Sequence, residues 1–285
     1  MTDPRTSPIP DVIRRRRQAL LSLLADDDPA TVALVKEQLV ALGPDELPEL
    51  QELSMEADPA AAPHVRELIE TIHTREAGAR FMDICRQFGE HGEIESSSWN
   101  LAAALMPGTN FLDHYVQLDA WGKEVKRRLH KAHSPLDRVE TLAEFLNIEQ
   151  RLRGNDDDYY NLRNSLLPAV VESRLGIPIT LSLVYMLVAR RAGMRVDGIG
   201  LPGHFIVRHE DIFFDPFHGG RRVSLDECKS LLLQQNLVLL PQHLAPATPR
   251  QMLVRLLTNI YYIAEQTNPQ LAAQVSEWIS AIRKS

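Results

Sequence analysis

The segment 179–189, Ile-Thr-Leu-Ser-Leu-Val-Tyr-Met-Leu-Val-Ala, is apolar on nearly every face of a helix; Pro178 opens it and Gly193 stops it. Such a helix has no solvent side and belongs at the centre of a domain, so the rest of the chain must pack around it. Proline suits the opening, because the first helical N–H has no partner to lose. After this helix the period changes from helical to extended over 194–201, 204–207 and 212–217, with glycines, prolines and acids at the boundaries. These segments read as neighbouring antiparallel strands. A buried helix beside a small antiparallel sheet makes the chain α+β.

Upstream, residues 11–88 read as helices throughout. Asp28-Pro29 and Asp58-Pro59 are starts of the same kind, an acid at the cap and proline next. Aligning them superposes Val35 on Val65, Lys36 on Arg66, Glu37 on Glu67 and Leu39 on Ile69. The match suggests two HEAT-like hairpins, and an irregular helical bundle fits the same residues. His91-Gly92 and Pro107-Gly108 punctuate the next stretch, and a helix is expected over 111–130. Ser134-Pro135 starts another, with Val139, Leu142, Leu146 and Ile148 as its apolar stripe and an end near Arg153-Gly154. The turn-forming run 154–161 reads as a loop. A short helix over 164–175, closed by Gly176, must place Pro168 in its first turn or lose a hydrogen bond. Downstream, Ser224 and Glu227 form a capping box for a helix to about Gln235, and two helices fill 249–283. The expected divisions are a helical region at 1–88, a connector at 89–134, a core at 135–240 and a helical hairpin at 241–285.

Composition removes several functions. With 44% hydrophobic and 24% charged residues and no long apolar run, the chain is not expected to enter a membrane. Its N-terminus lacks the apolar stretch and cleavage site of a signal peptide, which points to the cytoplasm. Cys85 and Cys228 lie far apart outside any CxxC spacing and are expected to be reduced packing residues, although the first-turn position of Cys228 could lower its pKa. A net charge of −7 argues against a nucleic-acid surface, and the run 14–17 of arginines would spread around a helix as a solvated face.

The chemistry-bearing order is the Pro178 helix, then His204, then Asp215. If the hairpin closes through a two-residue loop at His209-Glu210, His204 lies directly opposite Asp215. The carboxylate would then accept the Nδ1 proton and leave Nε2 as a base directed at the start of the helix. Read alone, the same residues also fit an ordinary strand histidine and an Asp-Pro turn.

Between residues 145 and 222 lie Arg153-Gly154-Asn155, Asp158-Tyr159-Tyr160, Arg163-Asn164-Ser165, the block 175–182 from Leu-Gly-Ile-Pro to Leu-Ser, Gly200-Leu201-Pro202-Gly203-His204-Phe205 and Asp215-Pro216-Phe217. In these motifs and their order the segment resembles the bacterial SirB-type branch of the transglutaminase-like superfamily. It implies a papain-like core with a cysteine at the start of the central helix, a histidine on the next strand and an aspartate on the following one. Here the last two match, and Thr180, or Ser182 in a shifted alignment, stands at the cysteine position. A hydroxyl has no counterpart to the few per cent of thiolate a free thiol holds near neutral pH, and losing a triad nucleophile costs on the order of a millionfold in rate.

Three readings follow. The first is a non-catalytic peptide- or protein-binding module without cofactor, its cleft built around Thr180, His204 and Asp215. The second is a hydrolase or acyl-transferase using Thr180 or Ser182 with His204 as base and Asp215 as its orienting partner. The third is an inert scaffold. The loop residues Asn155, Tyr159, Tyr160 and Asn164 are candidates to line a groove beside His204. A metal shared by His204, His209 and His218 is disfavoured, since His204 and His209 alternate to opposite strand faces.

Overall fold

A computed structural model of the chain describes residues 15, 18, 19, 22–56, 59, 61–89 and 92–285. Asp58, His91 and the arginines at 14, 16 and 17 lie outside them. The chain forms two compact units, 1–79 with 103–108, and 80–102 with 109–285.

The first unit is helical in its described residues. Helix α1 (Pro29–Leu42) starts where Asp28 accepts the N–H groups of Ala30 and Thr31, so the acid-proline signal acts as expected. It is followed by α2 (Leu47–Glu56) and α3 (Ala62–Gln87). Leu24, Val32, Val35 and Leu39 pack with Ala61, Val65 and Leu68 in one apolar cluster. The segment superposed on α1 by the 30-residue match therefore lies at the start of one unbroken helix.

The second unit takes in the end of α3 from Arg80, α4 (Ile94–Leu105) as far as Ala102, α5 (Leu112–Leu129) and α6 (Pro135–Ala143). Ser134 and Asp137 close a capping box on α6. Its last turn widens into a π-helix, Glu144–Glu149, which carries Ile148 out to solvent; the predicted stripe therefore ends at Leu146. Arg153-Gly154, predicted to end a helix, instead forms a strand, β1 (Arg153–Gly154), parallel to β2 (Leu175–Gly176). Between them a 3-10 turn (Leu162–Ser165) breaks at Leu166 before α7 (Leu167–Ser173). Pro168 thereby falls in a first turn, where it costs no hydrogen bond.

The predicted central helix is α8 (Pro178–Arg191), buried from Pro178 through Tyr185 and again at Leu187–Ala189. It packs against α5, α7 and one face of the sheet. Gly122 of α5 is required by this approach, because a Cβ there would lie 2.3 Å from the Arg191 Cβ. Beyond it, Glu95 of α4 accepts from Arg190 and Arg191, and Asp119 of α5 takes Arg191 Nε at 2.6 Å.

The sheet is antiparallel in the order β3 (Asp197–Ile199), β4 (Ile206–His209), β5 (Ile212–Asp215) and β6 (Arg221–Val223). The hairpin between β4 and β5 closes at Glu210-Asp211, one residue later than expected, with φ of 51° at Glu210. His209 pairs with Ile212 and Val207 with Phe214, so the register is two residues away from the predicted one. A two-residue shift keeps every side chain on its face. It moves His204 from directly opposite Asp215 to a position before β4. The chain ends with α9 (Leu225–Leu233), α10 (Pro249–Thr267) and α11 (Pro269–Lys284), and Trp278 of α11 meets Phe81 edge-on at 4.8 Å. Among the described residues, no helix is long and apolar enough to cross a membrane.

Candidate functional site

His204 leaves a tight turn in which its N–H bonds the Leu201 carbonyl at 3.1 Å. Gly203 holds φ at 72°, a left-handed value that glycine adopts without strain, and Gln235 Nε2 donates to the Pro202 carbonyl at 3.1 Å. Asp215 ends β5. Its Oδ1 accepts the N–H of Phe217 at 2.9 Å and of His218 at 3.3 Å, while the Gly220 N–H bonds the Asp215 carbonyl at 2.7 Å. The turn thus holds the carboxylate by its own backbone, as short acidic side chains do.

His204 and Asp215 meet despite the register change, because diagonal neighbours on one face remain within reach of long side chains. Nε2 of His204 lies 2.7 Å from Asp215 Oδ2, and Nδ1 of His218 lies 2.7 Å from the same oxygen. Burial pushes the Asp215 carboxyl up, but hydrogen bonding and charge from His204, then from His218, outweigh it and leave the group below the usual carboxylate range. An ionised carboxylate only accepts, so both ring nitrogens donate. This reverses the predicted tautomer: Nε2 of His204 is occupied and Nδ1 is the position left over.

His218, expected from the sequence only in a disfavoured metal set with His209, joins the pair instead through Asp215. Its signal was the Asp-x-x-His spacing, which lets a side chain three residues on fold back over an Asp-initiated turn. His209 takes no part. Its Nδ1 bonds the Arg195 carbonyl at 2.7 Å and its ring is buried, as the strand alternation predicts.

A cavity of about 350 Å³ opens beside the cluster, walled by Pro202, His204, His218, Arg221, Leu231 of α9 and Gln234 at the end of that helix. Neither Thr180 nor Ser182 lines it. Both are fully buried; Ser182 Oγ donates to the Phe205 carbonyl at 3.4 Å, and Thr180 Oγ1 has no partner. Tyr185 places a second buried, unpartnered hydroxyl nearby, its pKa raised by burial and then by Asp215. The cysteines are also withdrawn. Burial pushes Cys85 up to about 12; Cys228 is raised by burial and then by Glu227, which overrides the lowering a first-turn position could give.

The loop divides into braces and exposed rings. Asn155 Nδ2 donates to Asn164 Oδ1 at 3.0 Å, and Asn164 donates to the carbonyls of Asp158 at 2.7 Å and Tyr159 at 3.1 Å. These two asparagines set the loop's shape. Tyr159 packs on Phe217 with ring centroids 6.1 Å apart, and Phe217 packs on His204 at 6.3 Å. Tyr159 and Tyr160 line a separate cavity of about 430 Å³ with Tyr262 and Ile263 of α10, which does not include His204.

Comparison with known proteins places this arrangement. The profile of the transglutaminase-like superfamily matches residues 113–258. A UPF0162 protein of Xylella fastidiosa is 41% identical over 125 residues, which are 40% of this chain and 44% of that one. A UPF0162 protein of Pseudomonas aeruginosa is 30% identical over 185 residues, 63% of this chain and 67% of its own length. The human F-box only protein 21 is 32% identical over 96 residues, 30% of this chain and 15% of that protein. The matched stretch thus spans less than half the length of the Xylella relative. No solved structure matches. The match over 113–258 covers the helices, sheet and cavity that hold His204, Asp215 and His218, and the chain belongs to the transglutaminase-like superfamily.

Proposed function

We propose that this chain is a non-catalytic member of the SirB-type branch, acting in the cytoplasm as a module that holds a peptide or protein segment in the cleft beside His204. The carrying observation is the separation of the hydroxyls from the cleft: Thr180 and Ser182 are fully buried and wall no part of it. An acyl-transfer site needs its nucleophile within hydrogen-bond reach of the base and open to substrate. What the cleft does offer is recognition chemistry, with imidazoles, the Arg221 guanidinium and the Gln235 amide around one opening. That a related segment forms only 15% of the human F-box only protein 21 supports a reusable module. The acidic net charge favours a polypeptide partner over nucleic acid, and the buried thiols suit a reducing compartment.

The test pairs binding with catalysis. The immobilised full chain, exposed to a randomised decapeptide library, should retain a defined subset that Gln235→Ala releases. It should not hydrolyse p-nitrophenyl acetate above a Thr180→Val control. Hydrolysis abolished by Thr180→Val would overturn the reading in favour of a hydroxyl nucleophile, and retention of no peptide would favour the scaffold.

A further inference from the structure

We propose that His204, Asp215 and His218 form a binding site for a single divalent transition-metal ion; the site borders the same cleft, but the assignment does not rest on peptide binding there. Among the described residues they are the group of histidine, cysteine and acidic side chains whose ligand atoms converge, all lying within 4.8 Å of one another. Two imidazole nitrogens and one carboxylate oxygen are a donor set suited to zinc, cobalt or iron(II) rather than to magnesium or calcium, which take oxygen ligands.

The site is built rather than accidental. Asp215 is 2% exposed, and its Oδ1 is fixed by the N–H groups of Phe217 and His218, so Oδ2 has a set direction. Metal-binding carboxylates are held by outer hydrogen bonds in this way. His204 is braced through its turn and against Phe217. His218 is about half exposed and borders the cavity, which leaves the metal an approach and room for water or a ligand atom to complete the coordination.

Without metal, the two ring nitrogens each lie 2.7 Å from Oδ2. Ligand atoms around a tetrahedral ion with bonds of about 2.1 Å stand about 3.4 Å apart, so loading requires each nitrogen–oxygen side of the triangle to open by about 0.7 Å, with the two ring nitrogens, now within 4.8 Å of each other, settling at the same spacing. His218 is placed to give that displacement, being exposed and followed by Gly219 and Gly220, both with positive φ. The ion then replaces the two ring protons now directed at Oδ2. Glu227 also lines the cavity but is engaged by Arg221 and by the Ser224 N–H, and so is not counted as a ligand.

The experiment is calorimetric titration of the untagged, chelator-treated full chain with zinc chloride, repeated with cobalt chloride while recording visible absorption. One ion per chain should bind with a dissociation constant in the micromolar range or tighter, and cobalt should give d–d bands. His218→Ala should weaken binding about tenfold or more, Asp215→Asn at least as much, and His209→Ala should leave it unchanged. Circular dichroism of each variant separates loss of the site from loss of the fold, and the exposure of His218 makes its variant the decisive one. Binding that survives His218→Ala undiminished, or that has no fixed stoichiometry, would overturn the assignment.

Discussion

Oδ2 of Asp215 lies 2.7 Å from Nε2 of His204, on a carboxylate that is almost wholly buried and tied at its other oxygen to its own turn. The pair therefore organises structure as well as any chemistry. Replacing Asp215 by alanine removes the acceptor from both imidazoles and two backbone N–H groups at once. We expect Asp215→Ala to destabilise the fold by about 3 kcal/mol in urea unfolding, with His218→Ala costing about 1 kcal/mol or less because that ring is half solvated. Equal costs for the two variants would contradict the account.

Thr180 gives the opposite sign. Its hydroxyl is buried without a partner, so removing it relieves a desolvation penalty rather than breaking a bond. Thr180→Val should leave the fold unchanged or raise stability by up to about 1 kcal/mol. A marked loss in equilibrium unfolding would mean that the hydroxyl has a partner.

The link between the helical layers is a further point of weakness. Glu95 is buried, and its carboxylate accepts from Arg190 and Arg191 of α8. Glu95→Gln leaves the mostly buried Arg191 with Asp119 as its acidic partner and should cost about 2 kcal/mol. Glu93→Gln, at an exposed contact of 3.5 Å, should cost nothing measurable. Comparing the two unfolding midpoints checks the contrast.

Helix α9 should loosen in acid. Glu227 accepts from the Ser224 N–H and from Arg221, and these, with the Ser224 side chain beside it, hold it at about 2. Because its folded value lies below that of a free glutamate, its contribution is complete above about pH 4.3 and is lost as pH falls from there towards 2. The charges beside it are Arg221, Asp226 and Lys229. Amide exchange at the start of α9 should accelerate in that window, and Glu227→Gln should show the faster exchange already at neutral pH.

Rules that act within a few residues were legible along the chain. Acid-proline and Ser-x-x-Glu signals start helices where α1 and α9 start, and the all-round apolar segment becomes the buried α8. The α+β class followed from the switch from that helix to short extended segments. What failed depended on distant partners. Arg153-Gly154 and Leu175-Gly176 contain no strand pattern; each is extended because the other lies beside it.

The sequence by itself determined that a histidine and an aspartate would flank one hairpin on a common face, since face follows parity and survives a two-residue slip. It also determined that no cysteine opens the central helix. Only the tertiary structure decided which ring nitrogen meets Asp215, that His218 closes onto the same oxygen, and that Thr180 and Ser182 are sealed away from the cavity. Those outcomes depend on where a turn places a side chain and on how closely α8 packs beneath the sheet. The packing is set by contacts between segments far apart in the chain, and the Asp-x-x-His spacing permits the His218 contact without choosing it over a ring turned to solvent.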